Sequence, residues 1–351
     1  MRDLAEVAQG RENNFTLLRL LSAVYVIFCH SWGLLKLQGP LAGLGSFLSI
    51  SCSLGVLIFF TISGFLVTAS YVKNSNPYFY IKSRALRIFP GLLFSLLVTA
   101  LVIGSIATSM PLKEYLTSKS VLTYIYNNGT LTHLQMNLPG VFENNIYSSA
   151  VNGSLWTLPI EFRLYVIICL IGIIGALKKN YIGIPILILS ISLFSYPHYQ
   201  AGNIIVLQAI FSFIIGSLFF LLRKSIRLNY VFLLPIAFLF FMSPSQYKSI
   251  FSVFGLSYFA FLIAYSRKLS FSFLDKYGDF SYGLYIFSFP VQQLLIQKVP
   301  SISPIGLFLL SLLITLVLSI ISWFFIEKPA LSLKGKRRQL DNQALNTQIN
   351  S

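Results

Sequence analysis

Arg19 and His30 stand eleven residues apart in the first hydrophobic segment, in the run Arg19-Leu-Leu-Ser-Ala-Val-Tyr-Val-Ile-Phe-Cys-His30. On a helix, eleven residues make about three turns, so both side chains leave on nearly the same face, about 16 Å apart along the axis. Ionisable groups inside a membrane span are expensive and usually serve function. An imidazole titrates near neutral pH and suits general-base work. The pair suggests a catalytic group held at depth, with a cationic anchor nearer one surface.

Glu161 is a second acid within an apolar segment, in Asn152-Gly-Ser-Leu-Trp156-Thr-Leu-Pro159-Ile-Glu161-Phe-Arg163-Leu-Tyr165. It enters from the opposite side and reaches a depth similar to His30. Such a carboxylate can orient the imidazole and stabilise its charged form, or hold an acceptor hydroxyl. Alternatively it is a structural bridge to Arg163 or another helix. Arg84 and Arg87 fall three residues apart and so share a helical face. Two guanidinium groups on one face make a phosphate site, although ordinary membrane anchoring uses the same residues. Lys73, Lys82 and Arg19 are placed to add to that cationic funnel. Ser63, in Phe59-Phe60-Thr-Ile-Ser63-Gly64-Phe65, is a hydrogen-bond donor for a cavity. It lacks the Gly-x-Ser-x-Gly elbow of a nucleophile, and Ser-Gly within a span permits a close helix approach or a local break.

The elements that must position these residues are membrane helices. The 351-residue chain is 56% hydrophobic and 10% charged, where soluble proteins are about 25% charged. Apolar runs predict ten spans, at 16–36, 48–71, 88–108, 154–177, 181–196, 203–222, 230–243, 249–266, 280–297 and 305–326. The fifth and seventh are short. Alternate loops, counted from the N-terminus, hold most of the basic residues, for example Lys73, Lys82, Arg84 and Arg87, then Arg223, Lys224 and Arg227. That asymmetry predicts cytoplasmic termini. The net charge of +16 is therefore assigned to anionic lipid rather than nucleic acid. The expected architecture is an all-α membrane domain over 13–330, followed by a basic, then polar, disordered tail over 331–351.

The remaining candidates suggest no second chemistry. Cys29, Cys52 and Cys169 show no metal or redox spacing, and no metal site is expected. His133 and His198 fall in outer loops with no assigned role. The long loop at 109–153, also expected outside, is rich in Asn, Thr and Tyr, residues suited to sugars as well as to plain solvation.

Several motifs in this order resemble the acyltransferase-3 family of multi-span membrane acyltransferases. They are Arg19-x10-His30, Phe-Phe-x-x-Ser63-Gly64-Phe65, Arg84-x-x-Arg87 with Pro90, Ser154-Leu-Trp156-Thr-Leu-x-x-Glu161 with Tyr165, Ser281-Tyr282-Gly-Leu-Tyr285, and Glu327-Lys-Pro329. The resemblance implies transfer of an acyl group, usually acetyl from acetyl-CoA, to a hydroxyl of a cell-surface glycan such as O-antigen or exopolysaccharide, at the bacterial inner membrane. It assigns an essential role to His30, and the acyl-CoA side to Arg84 and Arg87, with Arg19 as a further donor contact. Ser63, Trp156, Tyr165 and Tyr285 are expected to line the substrate cavity. Many members carry a second histidine in the ninth-helix motif, where this chain has Ser288. No extracytoplasmic hydrolase-like domain is expected, as in stand-alone members. No permanently bound cofactor is expected; acyl-CoA, a glycan or lipid-linked sugar, and membrane lipid are the partners. Direct transfer and an acyl-histidine relay both fit. The rival functions are a transporter or flippase of a lipid-linked sugar, and a scaffold in polysaccharide synthesis.

Overall fold

The structure is a computed structural model, and residues 3–8, 13–48, 53–148, 150–178, 184–189, 192, 203–266 and 268–334 are described. The described residues form helices and loops, with only two isolated β-bridges. The principal helices are α1 (Phe15–Gly33), α2 (Leu54–Lys73), α3 (Pro77–Leu97), α4 (Thr157–Ile173), α5 (Ile204–Leu221), α6 (Leu233–Met242), α7 (Ser245–Ala264), α8 (Ser281–Lys298) and α9 (Pro304–Ser322). α3 runs on through a π-helical stretch, Val98–Ile103, to Ala107, and α9 through Trp323–Glu327 to Ser332. Proline follows the capping residue where α3 and α9 begin: Asn76 accepts from Phe79 N–H ahead of Pro77, and Ser303 from Gly306 N–H ahead of Pro304.

Among the described residues, seven helices are long and apolar enough to cross a membrane: α1, α2, α3, α4 with its leading turn, α5, α7 and α9. Three of the ten expected spans are not among them. The segment 181–196 lies largely outside the described residues. The segment 230–243 forms a short apolar helix, Tyr230–Met242. The segment 280–297 is α8, and it is too polar to count. The reason is its position: Ser281 and the stretch Gly283–Gln293 are buried by other helices, so its glutamines meet protein rather than lipid. Gln292 donates to Ile27 O and Ser31 Oγ of α1, at 2.9 and 2.8 Å. Gln293 donates to Tyr147 O and Ala150 O.

Proline and glycine shape the interior. Pro290 lies within α8 and has no N–H for the carbonyl of Ile286. That carbonyl instead accepts from Asn152 Nδ2 at 2.9 Å and Ser95 Oγ at 3.4 Å. Asn152 also caps the turn Gly153–Trp156 that leads into α4. One side chain therefore ties α8 to the start of α4. The Ser63-Gly64 pair permits close approach, not a break: α2 is continuous, and a Cβ at Gly64 would lie 2.1 Å from Phe213 O of α5. Gly216 of α5 meets Thr61 O in the same way.

The long loop at 109–153 is an ordered cap. It contains the helices Leu112–Thr117 and Lys119–Thr130. Its polar residues largely serve the cap itself: Asn128 bonds Tyr124 O and the Gln135 backbone, and Tyr115 OH donates to Ala100 O, within the π stretch of α3.

Gly64→Ala forces the α2–α5 crossing apart. It is expected to lower stability by about 1–3 kcal/mol, read as a lower thermal midpoint in detergent. Gly33→Ala, where nothing lies within 4 Å, should leave the midpoint unchanged or raise it. Equal effects of the two changes would contradict this packing.

Candidate functional site

α1 brings Arg19, near its start, into the region where α3 begins and α8 is entered. Asp279 precedes α8, and its Oδ2 accepts from Arg19 Nη1 at 2.9 Å and from Arg87 Nη2 at 2.6 Å. Its Oδ1 takes the backbone N–H and the hydroxyl of Ser281. Gly278, at φ 122°, makes the turn: any Cβ there would meet the Trp323 indole. Burial pushes the Asp279 carboxyl up, but Arg87 and Arg19, with the Ser281 bonds, outweigh it and hold the group well below the usual carboxylate range. Arg87 also faces Glu327 at 3.8 Å, and Glu327 accepts from Ser322. Arg84 has no ion pair among the described residues; its guanidinium lies 5.9 Å from the Tyr165 ring centre.

Arg19, Arg84 and Arg87 line the mouth of a long cavity between α1, α2, α3, α4 and α8, with an empty volume of about 830 Å³ including its opening. Further in, Ser63, Glu161 and Tyr165 form a closed set. Ser63 Oγ donates to Glu161 Oε1 at 3.0 Å and lies 3.0 Å from Tyr165 OH, which itself bonds Glu161. Tyr165 follows Glu161 by four residues, so both project from one face of α4. At the inner end lie Thr157 and Tyr285, whose hydroxyls are 3.0 Å apart.

His30 lines a different cavity with Val26, Ser53, Val56, Trp156, Asn203, Ile205, Val206 and Tyr285. Val56 and Tyr285 border both cavities. The imidazole packs edge-on to Phe289, and its Nδ1 is buried without a hydrogen-bond partner. The turn of α1 that carries it is clamped to α8 through Gln292.

The structure therefore groups Arg19, Arg84, Arg87, Ser63, Glu161, Tyr165 and Tyr285 along one cavity, and His30, Trp156 and Tyr285 along the other. It does not bring Glu161 to His30: the carboxylate is engaged by Ser63 and Tyr165. Nor does it pair Glu161 with Arg163, which is exposed and forms no ion pair among the described residues. Ser288 is buried and donates to Tyr285 O, one turn back in α8. Cys29 and Cys169 are buried, while Cys52 and His198 lie outside the described residues.

Sequence reasoning passed over Asp279 and Thr157. A signal for Asp279 was available. Only ten acids accompany 26 basic residues, and this one just precedes a helix on the side of the basic loops.

Comparison with known proteins follows the same outline. A family model described as an acyltransferase domain, acyltransferase-3, matches residues 12–324. An "O-acetyl transferase" of Shigella phage Sf6 is 29% identical over 361 aligned positions, covering 94% of this chain and 99% of the relative. "Nodulation protein 10" of Rhizobium leguminosarum bv. viciae is 36% identical over 163 residues, 46% of this chain; the match spans 44% of that relative's length. No solved structure matches.

Asp279→Ala leaves two guanidinium groups without their shared anion, and should cost about 3–5 kcal/mol of stability. Because the folded carboxyl ionises at lower pH than an unfolded one, its contribution is complete above about pH 4 and is lost as pH falls further. Thermal midpoints measured from pH 6 down to pH 3 should show this loss in the wild type, and a flatter profile in Asp279→Asn. Identical profiles would mean that the carboxylate does not hold the cluster.

Proposed function

The chain belongs to the acyltransferase-3 family, and from that premise we propose that it moves acetyl from acetyl-CoA to a hydroxyl of a cell-surface polysaccharide, such as O-antigen or exopolysaccharide, at the bacterial inner membrane. The observation that carries the reading is the meeting of two cavities inside one helical bundle. One is lined by arginines at its mouth, the other holds His30, and they touch at Val56 and Tyr285. A transferase that joins a cytoplasmic donor to an acceptor made for the outer surface requires such a junction. The named relative from phage Sf6 supports acetyl as the group transferred.

In this reading the mouth faces the cytoplasm, in keeping with the basic loops around it. Arg84, without a carboxylate of its own among the described residues, takes the donor phosphates most directly. Arg87 and Arg19 add charge from the rim of the Asp279 cluster. The pantetheine arm follows the cavity past Ser63 and Tyr165 to the Tyr285 junction. The acceptor enters beside Trp156, whose ring suits the apolar face of a sugar. His30 takes the proton of the acceptor hydroxyl as its oxygen attacks the thioester carbonyl. The new C–O bond forms, the C–S bond breaks, and the sulfur leaves as the CoA thiolate, which accepts a proton. Glu161 acts along the donor path, holding Ser63 and Tyr165 in place, rather than steering the imidazole.

His30→Ala is expected to lower acetyl transfer by the protein reconstituted in lipid about a hundredfold or more, with an unchanged thermal midpoint. Arg84→Ala should raise the KM for acetyl-CoA with a smaller effect on kcat. Retained transfer in the first variant would remove His30 from the chemistry, and an unchanged KM in the second would leave Arg84 as an anchor. In cells, surface polysaccharide should carry ester-linked acetyl groups with the gene and lack them without it; no difference would exclude this acceptor class.

A further inference from the structure

Beside the arginine mouth the fold builds a second, wider recess. Phe15, Phe220 and Tyr265 form its aromatic wall, and Lys73, Arg223 and Asp275 carry its charges. The Arg223 guanidinium lies 4.3 Å from the Phe220 ring centre and donates to Phe220 O at 2.8 Å, which holds it in place. The N-terminal segment closes one side: Leu4 and Ala5 donate their N–H groups to Ile226 O and Arg223 O, at 2.8 and 3.0 Å. Neither Lys73 nor Arg223 has a carboxylate partner among the described residues.

The recess is continuous with the site already described. Asp275 borders both the recess and the space in front of Arg19, Arg84 and Arg87. Leu66 borders these two and the long cavity as well. A single ligand can therefore pass from a narrow, mostly apolar channel, over a cluster of guanidinium groups, to an aromatic recess with two cations that have no carboxylate partner among the described residues. That succession matches a thioester arm, then a diphosphate, then a purine nucleoside bearing a further phosphate.

We propose that this recess binds the adenosine 3′-phosphate end of the acyl-CoA donor, an assignment that rests on the donor reading above. The purine lies against the Phe220 and Tyr265 rings, a contact any base can make. Its exocyclic amine is a donor matched to Asp275, the one acid among the described residues that line the recess. Lys73 and Arg223 attract the 3′-phosphate through charge-assisted hydrogen bonds. The recess thus distinguishes CoA from shorter thioesters that share its reactive end.

The test compares three donors on the purified full chain in lipid nanodiscs: acetyl-CoA, acetyl-3′-dephospho-CoA and S-acetylpantetheine. The wild type should show a KM for acetyl-3′-dephospho-CoA roughly tenfold above that for acetyl-CoA, and a higher one still for S-acetylpantetheine. Lys73→Gln with Arg223→Gln should bring the ratio between the first two donors close to one. Lys73→Gln alone, on an exposed residue, should reduce the ratio part of the way and serves if the double variant does not fold. Equal KM values in the wild type, or a ratio untouched by these changes, overturn the assignment. If no donor supports transfer, the donor reading fails, and equilibrium dialysis with adenosine 3′,5′-bisphosphate still decides the recess. Binding weakened by Lys73→Gln supports it, and no binding to the wild type, or binding insensitive to the change, overturns it.

Discussion

One carboxylate, mostly shielded from solvent, organises the site. Asp279 draws guanidinium groups from two helices, α1 and α3, onto a single oxygen. Each charge would be costly in a largely apolar interior, and removing one partner leaves the others uncompensated. The pairing thus fixes how α1, α3 and the entrance to α8 meet. Three arginines stand at this entrance, and Asp279, with Glu327 beside Arg87, neutralises part of their charge. Arg84 is left without an ion pair among the described residues, beside the opening of the long cavity.

Away from that entrance, the bundle is shaped by the need to satisfy polar backbone groups far from water. Pro290 leaves the Ile286 carbonyl without its helical partner, and Asn152 and Ser95 supply bonds. This repair draws the start of α4, with Trp156 and Thr157, against the middle of α8, where Tyr285 lies. Gln292 does the same for α1, fastening the His30 turn to α8. Burial by protein on most sides makes a glutamine-bearing helix tolerable, and its side-chain amides in turn fix its neighbours. Tyr285, which borders both cavities, lies on α8, the helix on which both contacts converge.

That convergence separates the roles of residues that sequence distance alone would merge. Glu161 and His30 face different cavities, and Tyr285 borders both. The carboxylate belongs to the path from the arginine mouth. The imidazole has an unsatisfied buried nitrogen, and no acid lines its cavity among the described residues. In the proposed reaction it works as a neutral base, without the supporting carboxylate of a serine-protease triad. The aromatic recess extends the same division outward, with the far end of the donor held away from the chemistry.

The membrane character, the helical class and the individual chemical groups were legible in the residues themselves. Apolar runs reveal helices that need no distant partner, so α1, α2 and α4 were found close to their observed places. Eleven- and three-residue spacings put Arg19 with His30, and Arg84 with Arg87, on shared faces because helix geometry is local. Hydropathy alone did not show that the α8 segment is enclosed by other helices. Only the tertiary structure showed that Asp279 joins two arginines, that Glu161 turns to Ser63 and Tyr165, and that Tyr285 borders both cavities. Those pairings bring together residues from separate helices, and no helical period encodes the angle at which one helix crosses another.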